Sequence, residues 1–244
     1  MSEVYESRQL LAEYLLFHYG NEEEVLPADG NWPEGMRESL DFAVRTVGHF
    51  GDGEVERSLD LGCAVGRSSF ELARSSREVL GIDFSSRFIW AAGTLASGGG
   101  IPYERLEEGQ VTTPLEAKAP AGIDLERVSF AEGDAMNLPD DLGVFDRVHA
   151  ANLICRLPEP HKLLARLPGL VKSGGEMVLA TPATWLEQYT PSGNWPKGQT
   201  RDWLVGQLGD DFELTKELEE PFLIRETARK FQWSRSLVTA WKRL

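Results

Sequence analysis

The sequence predicts an α/β chain built on a doubly wound, mostly parallel sheet, and three observations predict it. From residue 55 onward, short apolar segments alternate with helical ones, the mark of βαβ units. The first apolar segment, Leu59-Asp60-Leu61, runs directly into a glycine-rich turn and then a helix. Two acids, Asp83 and Asp134, follow further strand-like segments, at the carboxyl ends where such sheets bind ligands.

In the first fifty residues, Leu11, Tyr14, Leu15 and His18 recur at helical spacing, as do Met36, Leu40, Val44 and Val47. They predict two amphipathic helices joined by a loop over residues 27–33. These helices (residues 1–50) would lid a core of residues 55–244, the whole chain forming one domain. Five parallel strands are read at Leu59-Asp60-Leu61, residues 79–82, Val128-Ser129-Phe130, residues 145–151 and, after Ser173-Gly174-Gly175, residues 176–180. Between the second and third, residues 101–105 and 111–113 read as an inserted β-hairpin, about residues 100–116. Residues 212–218 and 237–241 predict two antiparallel strands, with residues 221–228 between them.

Composition narrows the function. The 244 residues are 41% apolar, and 39 Asp plus Glu against 25 Lys plus Arg give a formal net charge of -14. A chain of this size buries a core without disulfides or a structural metal. So acidic a surface repels a phosphate backbone, which argues against nucleic acid. Arg225, Arg229, Lys230 and Arg235 are spread thinly enough to read as a solvated face. Residues 1–9 are polar, and no apolar run approaches the roughly 18 residues of a membrane span, so no signal peptide or membrane partner is expected. Cys63 and Cys155 form no disulfide framework, which fits a reducing, cytoplasmic compartment. His18, His49, His149 and His161 lack metal-ligand spacing, and no metal is expected.

The chemistry concentrates in Leu59-Asp60-Leu61-Gly62-Cys63-Ala64-Val65-Gly66-Arg67. A turn of this kind brings bare backbone against a ligand. Dinucleotide sites place glycines where this chain has Ala64 and Arg67. Asp60 would repel a pyrophosphate but suits the cationic amino acid end of S-adenosylmethionine. Asp83, next to Phe84, lies where a carboxylate accepts both ribose hydroxyls, although capping the next helix through Ser85 would also explain it. Asp134, next to Ala135, could accept from the adenine amino group. Together with Gly62, Cys63, Ala64 and Gly66, these residues predict S-adenosylmethionine as cofactor and a class I methyltransferase with a Rossmann-like doubly wound sheet. A dinucleotide-dependent reductase is the weaker reading.

After the fourth parallel strand, Ala151-Asn152-Leu153-Ile154-Cys155-Arg156-Leu157 should meet the acceptor. Asn152 could hold the cofactor or a ring nitrogen and Arg156 a carboxylate, or both could be ordinary loop polarity. If the first and fourth strands are neighbours, Cys63 and Cys155 could line one pocket floor, although such cysteines are more often simply small buried apolar residues. His149 reads as strand packing, and His18 as a better pocket residue.

Several segments resemble the 5-thiohistidine (4-mercaptohistidine) N1-methyltransferases of ovothiol biosynthesis over nearly the whole chain. They are Tyr5-Glu6-Ser7 with Phe17-His18-Tyr19-Gly20, residues 59–72, residues 151–158, Thr181-Pro182 with Thr184-Trp185-Leu186, and Pro221-Phe222-Leu223-Ile224-Arg225-Glu226 with Ala228-Arg229-Lys230-Phe231-Gln232-Trp233. Ala43 departs from the pattern, which has Pro at that position. The resemblance implies methylation of the imidazole nitrogen nearest the side chain of 5-thiohistidine, giving ovothiol A. It implies that Arg225, Arg229 or Arg156 binds the substrate carboxylate or thiolate, and that Tyr14, His18, Tyr19 and Trp185 wall the imidazole, unless these aromatics are core. An iron-dependent sulfoxide synthase acting upstream is implied as a separate partner or as the remainder of a fusion. Another small acceptor, or a non-catalytic cofactor-binding module, remain alternatives.

Overall fold

The structure, a computed structural model, describes residues 7–244, so Tyr5 and Glu6 lie outside the described residues. Strands β1 (Val55–Leu61), β2 (Ser76–Asp83), β5 (Val128–Glu132), β6 (Phe145–Ala151) and β7 (Val171–Thr181) pair in parallel, and β9 (Phe231–Arg243) and β8 (Phe212–Arg225) add antiparallel. The order is β5-β2-β1-β6-β7-β9-β8. The predicted hairpin is present as β3 (Ile101–Glu108) and β4 (Val111–Ala117), a separate two-stranded sheet. Gly109, at φ +59°, makes its turn, a left-handed position that suits glycine.

Helices α1 (Arg8–Tyr19), α2 (Glu22–Val25), α3 (Phe42–Val47), α4 (Arg67–Leu72), α5 (Ser86–Ala96), α6 (Pro160–Arg166) and α7 (Thr200–Leu208) complete the fold. Side chains alternate across the strands, so β1 and β7 each feed both faces. Leu59, Leu61, Met177 and Leu179 pack with α6 and α7 through Leu163, Leu204 and Leu208. On the other face Val79 joins Leu15, Phe70, Phe88 and Leu95 from α1, α4 and α5, while Val178 and Ala180 meet Phe42 of α3 and Phe222 of β8.

Two sequence expectations change. The helix expected from Met36 to Val47 is broken: Arg37–Ser39 is a single 3-10 turn, and Asp41 at φ +55° reverses the chain before α3. Apolar spacing survives such a break because Met36, Leu40 and Val47 still pack into one cluster. The gap expected over residues 221–228 is instead strand as far as Arg225, with Pro221 paired opposite Arg235. Proline has no N–H to give, and β8 tolerates it because an edge strand needs partners on one side only.

Candidate functional site

A cavity of about 650 Å³ opens at the carboxyl ends of β1, β2, β5 and β6. Its floor is the glycine turn. Gly62 lies at φ +68° and Ala64 at φ +47°, and the Gly62 and Cys63 amides both donate to the Ile82 carbonyl, at 2.8 and 3.1 Å. This folds bare backbone under the cavity. Asp60, Gly62, Cys63, Ala64, Asp83, Phe84, Asp134, Ala135 and Asn152 all line it.

Gly66 does not. Its φ is +89°, and an added Cβ would stand 2.7 Å from the Phe130 ring and 3.0 Å from Ala92. Glycine is needed there for helix-to-sheet packing rather than for contact with a ligand.

Asp83 carries a clear electrostatic signal. Its Oδ2 accepts from the Ala64 amide and its Oδ1 from the Ser85 amide, each at 2.9 Å. No cation pairs with it among the described residues. Burial, helped by the nearby Asp60 carboxylate, pushes the carboxyl up to about 6, against the pull of the Ser85, Ala64 and Phe84 amides. Ser85 caps α5 through its own side chain, accepting from Phe88 N at 3.2 Å, so Asp83 is not needed as the cap. A buried carboxylate with lone pairs to spare wants neutral donors, which the two hydroxyls of a ribose would supply. Asp134 accepts from the Met136 amide at 2.9 Å. These residues therefore fit the adenosine of S-adenosylmethionine.

The opposite wall belongs to α1 and the aromatic residues behind it. Tyr14 and His18 stack at 5.9 Å, Tyr14 sits 4.6 Å from Phe88, and Phe17 contacts His18, Phe42 and Phe222. Burial, with help from Arg67, lowers His18 to about 3, so its imidazole is neutral at physiological pH. Burial also raises the Tyr14 phenol. Tyr19, expected to wall the substrate, faces away from the cavity. Its hydroxyl donates to the Val65 carbonyl at 2.6 Å, and Arg67 reaches the His18 carbonyl at 3.3 Å, tying the end of α1 to the glycine turn.

Asn152 and Arg156 both face the cavity. Asn152 lies at φ +56°, and its Oδ1 accepts from Ser236 Oγ at 2.7 Å, which leaves the NH2 group to the cavity. Arg156 donates to the carbonyls of Cys155 and Thr184, at 3.1 and 2.9 Å, and lies 5.0 Å over the Tyr189 ring. Among the described residues no carboxylate neutralises it. Cys63 lines the cavity, whereas Cys155, though buried, does not.

Three other sequence-derived positions fall elsewhere. Arg225 is 7% exposed and holds the wall together: it donates to the carbonyls of Glu24 and Val25, at 3.3 and 3.1 Å, and to Glu107 Oε2 at 2.7 Å. Arg229 is exposed and pairs with Glu108 of the hairpin. Trp185 donates to Thr200 Oγ1 at 3.0 Å and packs edge-on against Trp203 of α7. None of the three lines the cavity.

His149, expected to be packing, is hydrogen-bonded to Asp60 at 2.8 Å and lines the cavity. The signal for it was register, because β6 sets His149 directly opposite Asp60. Glu13, Gln188 and Tyr189 also line the cavity and escaped notice because nothing local marks them.

The chain matches the model of a methyltransferase domain over residues 59–179. Among characterised proteins it is 26% identical over 122 residues to methyltransferase GfsG of Streptomyces halstedii, covering 50% of this chain and 36% of that one. It is 25% identical over 201 residues to cycloartenol-C-24-methyltransferase of Arabidopsis thaliana, covering 71% and 53%. The chain thus spans about a third to a half of the length of these relatives. In structure it is similar to the N-methyltransferase NodS of Bradyrhizobium japonicum in complex with S-adenosylhomocysteine, with a TM-score of 0.56 at 14% identity, covering 96% of this chain and 98% of that one. A TehB-like methyltransferase of Corynebacterium glutamicum aligns with a TM-score of 0.52 at 17% identity, over 89% and 91%.

Proposed function

We propose that this chain, a class I methyltransferase domain with S-adenosylmethionine as its cofactor, methylates the imidazole nitrogen nearest the side chain of 5-thiohistidine to give ovothiol A. One observation carries the reading: each described stretch that resembles the thiohistidine methyltransferases sends residues into the same cavity. Phe17 and His18, Asp60 with Gly62, Cys63 and Ala64, Asn152 and Arg156, Pro182 and Thr184, and Phe222 with Gln232 all line it. Segments up to 215 residues apart (Phe17 and Gln232) converge on one volume of about 650 Å³, enough for a nucleoside cofactor and a second small molecule.

The cofactor supplies an activated methyl group, so the protein's task is placement and the exclusion of water. Asp83 and Asp134 would hold the adenosine and Asp60 the amino acid end. Tyr14 and His18 give a flat aromatic wall for the acceptor ring. Arg156, unneutralised and at the cavity edge, would take the acceptor's carboxylate or thiolate as a planar fork, and Asn152 would hold the ring through its amide. A neutral His18 does not store a proton at pH 7. That suits a ring whose own acidic thiol has already given its proton up and left a nitrogen lone pair free. An iron-dependent sulfoxide synthase would act upstream, its sulfoxide product needing a further C–S cleavage before the free thiol reaches this site.

The test is incubation with S-adenosylmethionine and 5-thiohistidine, with histidine as control, and location of the methyl group by mass spectrometry and NMR. Methylation of the ring nitrogen only in the thiolated substrate is the expected result. Tight S-adenosylhomocysteine binding without product would remove thiohistidine and leave the domain and its cofactor intact.

A further inference from the structure

Beneath the cavity runs a chain of buried polar side chains that cofactor binding alone does not explain. Asp60, 1% exposed, lies one residue before the end of β1 and lines the cavity. Ser69 Oγ of α4 donates to Oδ2 at 2.6 Å, and His149 of β6 lies 2.8 Å from Oδ1 through Nδ1. A carboxylate accepts, so Nδ1 is the donor. The ring's other nitrogen reaches Thr46 Oγ1 of α3 at 3.1 Å. Ser69, Thr46 and His149 are themselves 0 to 1% exposed.

Such a network costs free energy to bury and stabilises a fold little better than a well-packed apolar set would. What it does uniquely is fix orientation. With one donor on each oxygen from two different elements, the Asp60 carboxylate cannot turn, and its remaining lone pairs stay directed at the cavity. Thr46 fixes the imidazole in turn, from the helix whose Phe42 and Ala43 form part of the cavity wall.

We propose that His149, assisted by Ser69, is a positioning residue that aims Asp60 at the ammonium of the methionine portion of the cofactor. It acts through Asp60 and leaves the adenosine contacts of Asp83 and Asp134 alone. This rests on the cofactor site and stands whichever small molecule accepts the methyl group.

The experiment compares two ligands by isothermal titration calorimetry: S-adenosylhomocysteine, and 5′-methylthioadenosine, which keeps the adenosine and thioether but lacks the amino acid end. His149→Leu is expected to weaken S-adenosylhomocysteine by about tenfold or more while 5′-methylthioadenosine stays within about twofold. His149→Asn, whose amide can stand in for the Nδ1 donor, should restore S-adenosylhomocysteine to within about threefold of wild type. Ser69→Ala, a smaller change that the fold tolerates more readily, should show the same ligand split at roughly threefold to tenfold. It keeps the test decisive where His149→Leu does not yield folded protein. Both ligands weakening in step, or S-adenosylhomocysteine binding unchanged in Ser69→Ala and His149→Leu, overturns the proposal.

Discussion

Replacing Asp83 with Asn bears directly on the cofactor site. Each carboxylate oxygen already accepts one backbone amide at 2.9 Å and has capacity for one more donor. The amide keeps a single acceptor oxygen, so one hydrogen bond to a charged group is lost. At about 1.5–3 kcal/mol, that is roughly a 10- to 150-fold weaker S-adenosylhomocysteine complex.

The pH dependence gives a sharper signature. Burial raises the wild-type carboxyl from 3.8 to about 6. Ribose hydroxyls placed on Asp83 would bind its carboxylate form, so wild-type affinity should be flat above about pH 7 and fall towards tenfold per unit below about pH 6. Binding near pH 6 should release about half a proton, seen as a dependence of the calorimetric heat on the buffer. The sign for stability runs the other way. A raised carboxyl pKa contributes stability that is complete below pH 3.8 and is lost as pH rises through about 6. That loss is about 3 kcal/mol, so the wild-type stability in urea, relative to Asp83→Asn, should fall by about that much between about pH 3 and 7. A dissociation constant unchanged from pH 5 to 7.5, in wild type and variant alike, would refute the placement of ribose on Asp83.

Arg156→Ala should raise the acceptor KM by about tenfold or more and leave the S-adenosylhomocysteine dissociation constant within twofold, checked by steady-state kinetics beside calorimetry. Arg225→Ala should behave oppositely: about 3 kcal/mol less stable in urea, because Glu107 and two carbonyls lose a buried partner, with the acceptor KM in the surviving folded enzyme little changed. Gly66→Ala drives a Cβ into the Phe130 ring at 2.7 Å from a left-handed backbone, and thermal melting should show a loss of about 3 kcal/mol.

The cofactor half of the site was legible because its signals are local. A strand, a glycine turn and acids just past strand ends lie within a few residues of one another, and the alternation of short apolar and helical segments fixed which ends of the strands would gather. The acceptor half was less so. Arg225 looked free in sequence, since its partners Glu24, Val25 and Glu107 lie more than a hundred residues away. Tyr19 and Trp185 sit beside cavity residues in sequence, yet each spends its polar atom on a neighbour behind the wall, Val65 and Thr200. Gly66 was sound as a glycine and misplaced as a ligand contact, because a close approach by Phe130 demands the same residue as a close approach by a cofactor. His149 shows the limit of alternation: a buried strand position reads as packing until cross-strand register names its neighbour.

The knot around Arg225 bears on how the chain assembles. Arg225 and Arg105 both donate to the Glu24 carbonyl, and both engage Glu107. Three stretches separated by about eighty and about two hundred residues must therefore meet before the α1–α2 wall is fastened. Closing such long loops is entropically costly and comes late on a folding pathway. Helices α1 and α2 precede β8 in the chain, yet the fastening of their wall through Arg225 needs β8 in place. Residues of α1 and of the glycine turn line the same cavity, so a ligand that bridges them would stabilise the wall that this long-range seam holds in place.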